Sequence, residues 1–246
     1  MEDKDPQKSF HYYVIAAVVI LAFAFVMSKS AVYIKENVTN KKVVNAAIEK
    51  SIADWKDAKP QSLKQPDIFS VTNNLAKGSE KQVTLVTDLL CTDCATVFNK
   101  LDKLSQEGKA RFSVYLYPLD SYCNSHITYR SDGLGCQLSA SVICAEQLYQ
   151  KGFELTKSIF SRNKEIVVAL AKGPQILNEQ LDKLSLDKTK IETCAKSPET
   201  LKQIQASADS IKNIEFTRLP IFLYKQKIYN AALIDSGIED LFEENP

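Results

Sequence analysis

Apolar residues recur along this chain with three different spacings, and each spacing predicts a different kind of element. From Tyr12 to Ser28 no residue is charged, and a helix there would be apolar on every face. The run approaches the roughly 20 residues that a helix needs to cross a bilayer. It predicts one N-terminal transmembrane helix within a membrane anchor or signal segment over residues 1–34. The run exceeds the apolar core of an ordinary signal peptide and so favours an anchor, although Ser28-Lys29-Ser30-Ala31 offers small residues where cleavage could fall. Residues 35–67 read as an amphipathic stalk helix followed by linker. Val43, Val44, Ala47, Ile48, Ile52 and Trp55 fall at helical spacing within 35–57, which suits packing onto the domain or pairing in a homodimer equally. Pro60, Pro66 and Gly78 punctuate the stretch 58–81 as a linker.

A domain over 68–246 follows. Val83 to Thr87 is short and β-branched, as a buried strand would be. Ala95, Val97, Phe98, Leu101 and Leu104 then recur at helical spacing up to Gly108, and Arg111 to Tyr117 alternates like a second strand. Strand, helix and strand in this order make a βαβ unit. Residues 134–210 read as a run of helices, the last opened by Ser197 as a cap with Pro198 in its first position. Pro220 to Tyr224 and Lys227 to Asn230 read as a hairpin across Lys225-Gln226, and 238–244 as a closing helix. The fold class is therefore α/β, with a helical insertion at about 120–212 between the βαβ unit and the hairpin.

Charge narrows the partners. Lys and Arg total 31 against 30 acidic residues, so no global field favours nucleic acid. Counted along the chain, lysines on both sides of the apolar run decide orientation poorly, because long domains translocate largely regardless of flanking charge. Cysteine usage decides better. All six cysteines lie after the apolar run, an even number on the side that would be exported, which points to an oxidising, extracytoplasmic compartment.

Cys91 and Cys94, separated by Thr92 and Asp93, fall where the first strand meets the helix. Tetrahedral zinc needs four ligands, and the chain has only two histidines, His11 and His126, and no second CxxC. A bridge over two intervening residues also restricts the unfolded chain little. Redox chemistry fits the position: a helix N-terminus stabilises thiolate over thiol. Cys91 is then the nucleophile and Cys94 the resolving thiol that releases a mixed disulfide. Asp93 would tune the pair, since a carboxylate beside Cys91 disfavours its thiolate; its other reading is simple support for the helix N-terminus.

Together the strand-CxxC-helix-strand unit, the helical insertion, Tyr117-Pro118-Leu119-Asp120, Cys123-Asn124, Gly135-Cys136, Cys144-Ala145, Glu192-Thr193-Cys194 and Leu219-Pro220-Ile221-Phe222 resemble the thioredoxin superfamily. The likeness is to DsbA-type thiol-disulfide oxidoreductases and to thioredoxin domains associated with vitamin K epoxide reductase homologues, and it covers about residues 68–244. The resemblance implies that Leu219–Pro220 is a cis peptide bond beside the active disulfide, where substrate backbone would pair. It also implies protein thiol and disulfide substrates, a membrane redox partner of the DsbB or vitamin K epoxide reductase type, and no metal or organic cofactor. Residence would be in the cytoplasmic (inner) membrane, single-pass, with the catalytic domain periplasmic. One departure stands out: relatives carry a buried acid six residues before the first Cys, where this chain has Leu85, and the nearest acid is Asp88.

Four cysteines remain. Cys123 and Cys136 flank one irregular segment, while Cys144 and Cys194 lie in predicted helices, which favours structural bridges Cys123–Cys136 and Cys144–Cys194; the alternative is that one of these pairs relays electrons to Cys91–Cys94. His126, in a polar segment, carries no assigned role. Two other functions compete with the enzyme: a non-catalytic thioredoxin-like binding module, and copper(I) handling by thiolates. The latter is weakened because both methionines, Met1 and Met27, are far from the Cys pair in sequence.

Overall fold

The computed structural model describes residues 42–60 (apart from 44 and 48), 70–72, 81–129, 132–212, 214 and 218–230. The apolar run 12–28 and the closing helix expected over 238–244 lie outside the described residues. Among the described residues no helix is long and apolar enough to cross a membrane. The chain divides into two compact units, Met1–Lys50 and Ser51–Pro246; all that follows concerns the second.

Its centre is a five-stranded sheet in the order β1-β3-β2-β4-β5, built from β1 (Ser70–Thr72), β2 (Gln82–Thr87), β3 (Arg111–Leu116), β4 (Ile221–Tyr224) and β5 (Lys227–Asn230). Only β2 and β3 run parallel, joined by α2 (Thr92–Gln106). Val83, Leu85 and Val86 of β2 are fully buried, so this strand lacks the alternation of a half-exposed one because both of its faces are covered. The stretch read as linker contains a strand: β1 pairs antiparallel with the outer side of β3, Ser70 opposite Tyr115. Three residues are too few to show a period, and their strand state comes from the partner edge that satisfies their backbone.

Before the sheet, α1 (residues 51–57) lays an apolar face on the domain. Its Ile52 and Trp55 are buried, and the Trp55 ring stacks on Tyr224 with centroids 5.6 Å apart. Lys227 reaches the same helix, donating to the Lys56 carbonyl and lying over the Trp55 ring. This face of α1 therefore packs on the domain.

The insertion is six α-helices, α3 (Leu134–Tyr149), α4 (Gly152–Ser161), α5 (Asn163–Val168), α6 (Gly173–Lys183), α7 (Lys188–Ala195) and α8 (Pro198–Ile211), with a single 3-10 turn at Leu170–Lys172. Within the run of helices read over 134–210, the stretch 165–172 reads as one helix from its sequence, but it is split: α5 ends at Val168 and the chain tightens into the 3-10 turn. Phe98 of α2 fastens the insertion to the sheet, with its ring 5.5 Å from Phe112 of β3 and 5.0 Å from Phe160 of α4. Gly152 marks a close approach of α4 to α3, since a Cβ there would lie 2.9 Å from the Val142 carbonyl oxygen. On the other side the buried Tyr115 hydroxyl donates to the Ser207 carbonyl at 2.7 Å and meets Ser210 Oγ, tying β3 to α8. Ser197 caps α8, its hydroxyl accepting from the Thr200 N–H at 3.2 Å.

Candidate active site

The end of β2 delivers the chain into a turn whose every step is held. Cys91 N–H donates to the Asp88 carbonyl at 3.1 Å. The Asp88 carboxylate, only 3 % exposed, accepts from Leu90 N–H at 2.5 Å through Oδ1 and from Leu119 N–H at 2.6 Å through Oδ2. From the insertion, Asn163 Nδ2 donates to the Leu89 carbonyl at 2.8 Å. Leu89 and Leu90 are buried, so this polar backbone has no water to fall back on and needs such partners.

Cys91 itself is the N-cap of α2, in an extended conformation, and its Sγ accepts from the Cys94 N–H at 3.1 Å. The two are joined as a disulfide with Cα atoms 5.1 Å apart. Cys94 is fully buried while Cys91 is part-exposed. One sulfur is therefore open to attack and the other shielded behind it. Thr92 and Asp93 are exposed on the first helical turn, where a carboxylate lies in favourable relation to the helix dipole.

Pro220 is buried and the Leu219–Pro220 bond is cis. The register of β2 with β4, Val86 opposite Ile221, sets Pro220 beside the last residue of β2 and so next to the turn into Cys91. The two segments that the sequence reading singled out, 91–94 and 219–220, are brought to one end of the sheet.

The other cysteines form Cys123–Cys136, with Cα atoms 5.8 Å apart, and Cys144–Cys194, at 5.9 Å. The first ties the segment after β3 to the start of α3, and the second ties α3 to α7. His126 accepts a role the sequence did not show: its Nε2 lies 2.6 Å from Asp209 Oδ1, linking that segment to α8 and holding the Asp209 carboxyl below its ordinary value. A groove of about 830 Å³ opens within the insertion, lined in part by Tyr122, Leu134, Cys136, Leu177 and Ile191 but by none of Cys91, Cys94 and Pro220; this groove and the Cys pair are in different places. Among the described residues no three His, Cys, Asp or Glu side chains gather as a metal site.

Two residues of the site escaped the sequence reading or were left open by it. Asp88 was visible only as the nearest acid to Leu85. Asn163 gave no signal, because a lone Asn at the start of a short helix reads as an ordinary helix-terminus residue.

A mixed sheet with a CxxC at the head of the crossover helix and a cis proline facing it is the thioredoxin-like fold. Three solved structures are similar to this chain over most of its length. A thioredoxin-like oxidoreductase from Silicibacter pomeroyi DSS-3 is 12% identical, with 74% of this chain and 94% of that one covered at a TM-score of 0.53. The thiol-disulfide exchange protein alpha-DsbA2 of Wolbachia pipientis is 12% identical, with 81% and 97% covered at 0.52. MdbA, a thiol-disulfide oxidoreductase from Actinomyces oris, is 11% identical, with 70% and 82% covered at 0.54. No family model and no curated protein sequence matches the chain.

Proposed function

We propose that the protein is a thiol-disulfide oxidoreductase that exchanges disulfides with protein substrates through Cys91 and Cys94. The observation that carries this reading is the pairing of a part-exposed Cys91, its sulfur already accepting a hydrogen bond from the Cys94 N–H at 3.1 Å, with a fully buried Cys94. In the oxidising direction a substrate thiolate attacks the Cys91 sulfur, the Cys91–Cys94 bond breaks, and Cys94 leaves as a thiolate that takes up a proton. A second substrate thiolate then attacks the substrate sulfur of the mixed disulfide, and Cys91 leaves as a thiolate. In the reducing direction Cys91 thiolate attacks a substrate disulfide, and Cys94 resolves the mixed species. The helix N-terminus favours Cys91 as the sulfur that carries negative charge. Backbone beside Pro220 supplies the edge on which an extended substrate pairs.

The compartment belongs to the same proposal: the apolar run 12–28 anchors the chain in the cytoplasmic membrane as a single pass, and the domain works on its periplasmic, oxidising side. Six cysteines, all paired, support that side. There a membrane redox partner of the DsbB or vitamin K epoxide reductase type resets the pair. A homodimer through 35–57 would use positions other than Ile52 and Trp55, which the domain already covers.

Insulin reduction and refolding of a scrambled disulfide substrate test the reading. Both activities are expected in the wild-type protein and lost in Cys91→Ser. Activity that survives Cys91→Ser overturns it and leaves a binding module.

A further inference from the structure

One atom of the turn that presents Cys91 is held by a side chain of the insertion. The Leu89 carbonyl oxygen, two residues before Cys91, accepts from Asn163 Nδ2 at 2.8 Å. Asn163 is 1% exposed, and its own Oδ1 has no hydrogen-bond partner among the described residues. A buried amide that leaves half of its capacity unsatisfied costs stability, so its retention is explained by what the other half holds. Asn163 opens α5, which is secured separately by the fully buried Ile166. The Leu89 contact thus joins α5 to a residue 74 positions away, in the turn that leads into the N-cap of α2.

We infer that Asn163 is a positioning residue for disulfide exchange at Cys91, an inference that rests on the oxidoreductase reading above. Its amide draws the negative end of the Leu89 carbonyl toward the insertion and fixes the turn in which Cys91 N–H meets the Asp88 carbonyl at 3.1 Å. That turn sets the Cys91 conformer in which Sγ faces the Cys94 N–H. The charged thiolate depends on this alignment more than the neutral disulfide does, so loosening the turn disfavours the reduced form. The equilibrium concerned is protein disulfide plus two glutathione thiols giving protein dithiol plus glutathione disulfide.

The experiment is this equilibrium, measured on the full chain with glutathione buffers as the probe, together with thermal unfolding. Asn163→Ala and the milder Asn163→Ser are expected to shift it by about three- to tenfold toward the protein disulfide, the size of one buried hydrogen bond. Ile166→Val, a packing change on the same helix, is expected to lower the melting temperature and leave the equilibrium within about twofold of wild type. If neither Asn163 variant moves the equilibrium more than Ile166→Val does, Asn163 is a structural residue only and the inference falls. Failure of the wild-type protein itself to exchange with glutathione removes the oxidoreductase reading, and this inference with it.

Discussion

Asp88 Oδ2 accepts the Leu119 N–H at 2.6 Å, and this one bond joins the turn before the CxxC to the segment leaving β3. Because Oδ1 accepts from Leu90 at the same time, one buried carboxylate sets the path of the chain on both sides of the sheet end. Its removal is the most direct test of how the site is held. Asp88→Ala strands the buried Leu90 N–H at about 1–3 kcal/mol and the part-buried Leu119 N–H at less than that. A loss of about 2–4 kcal/mol is expected in denaturant unfolding, with slower insulin reduction. Asp88→Asn, which keeps one acceptor oxygen, should lose roughly half as much.

Asp93 acts at longer range and through water. Neutralising it with Asn removes a negative charge near the Cys91 sulfur, which favours the thiolate and makes the pair more oxidising. Since Asp93 is exposed, the effect is expected to be small and to fade between low salt and about 1 M salt, where the Debye length falls to about 3 Å. Thiolate absorbance of the reduced protein, titrated at both ionic strengths, checks this; no change at low salt would leave Asp93 as a helix-terminus residue alone.

The two bridges outside the CxxC should differ in weight. Cys144–Cys194 spans 50 positions and Cys123–Cys136 spans 13, so chain entropy assigns them about 4 and about 3 kcal/mol as upper values. Double Ser variants compared by urea unfolding are expected to follow that order. If removal of Cys123–Cys136 abolishes turnover with the fold intact, that bridge takes part in electron relay.

Acid should release the tie between His126 and Asp209. The hydrogen bond from His126 is the main cause that lowers the Asp209 carboxyl. A carboxyl depressed in the folded state contributes stability that is full above its unfolded value of about 4 and is lost as pH falls through the folded one. Asp209→Asn is therefore expected to melt below wild type at pH 6, with the gap narrowing below about pH 4 and closing in stronger acid. At a half-exposed site the effect is modest, and an equal gap at every pH would show that the pair's charge is not its source.

Whatever depends on near neighbours in the chain was legible in the amino-acid order. The CxxC at a strand-to-helix junction, the period of α2, the Ser197-Pro198 start of α8 and the hairpin across Lys225-Gln226 all follow from spacing, caps and turns within a few residues, and the structure places each where local chemistry puts it. The split at Val168 and strand β1 did not follow. Three residues of strand carry no period, and β1 exists because the edge of β3 was open to it. Tertiary structure alone decided the supports of the site: Asp88 meets Leu119 across 31 positions and Asn163 meets Leu89 across 74. Each is a polar side chain of ordinary type whose partner is a backbone group, and backbone groups are identical at every position. Only the packing of the insertion against the sheet selects which N–H or C=O is left buried and in need of them.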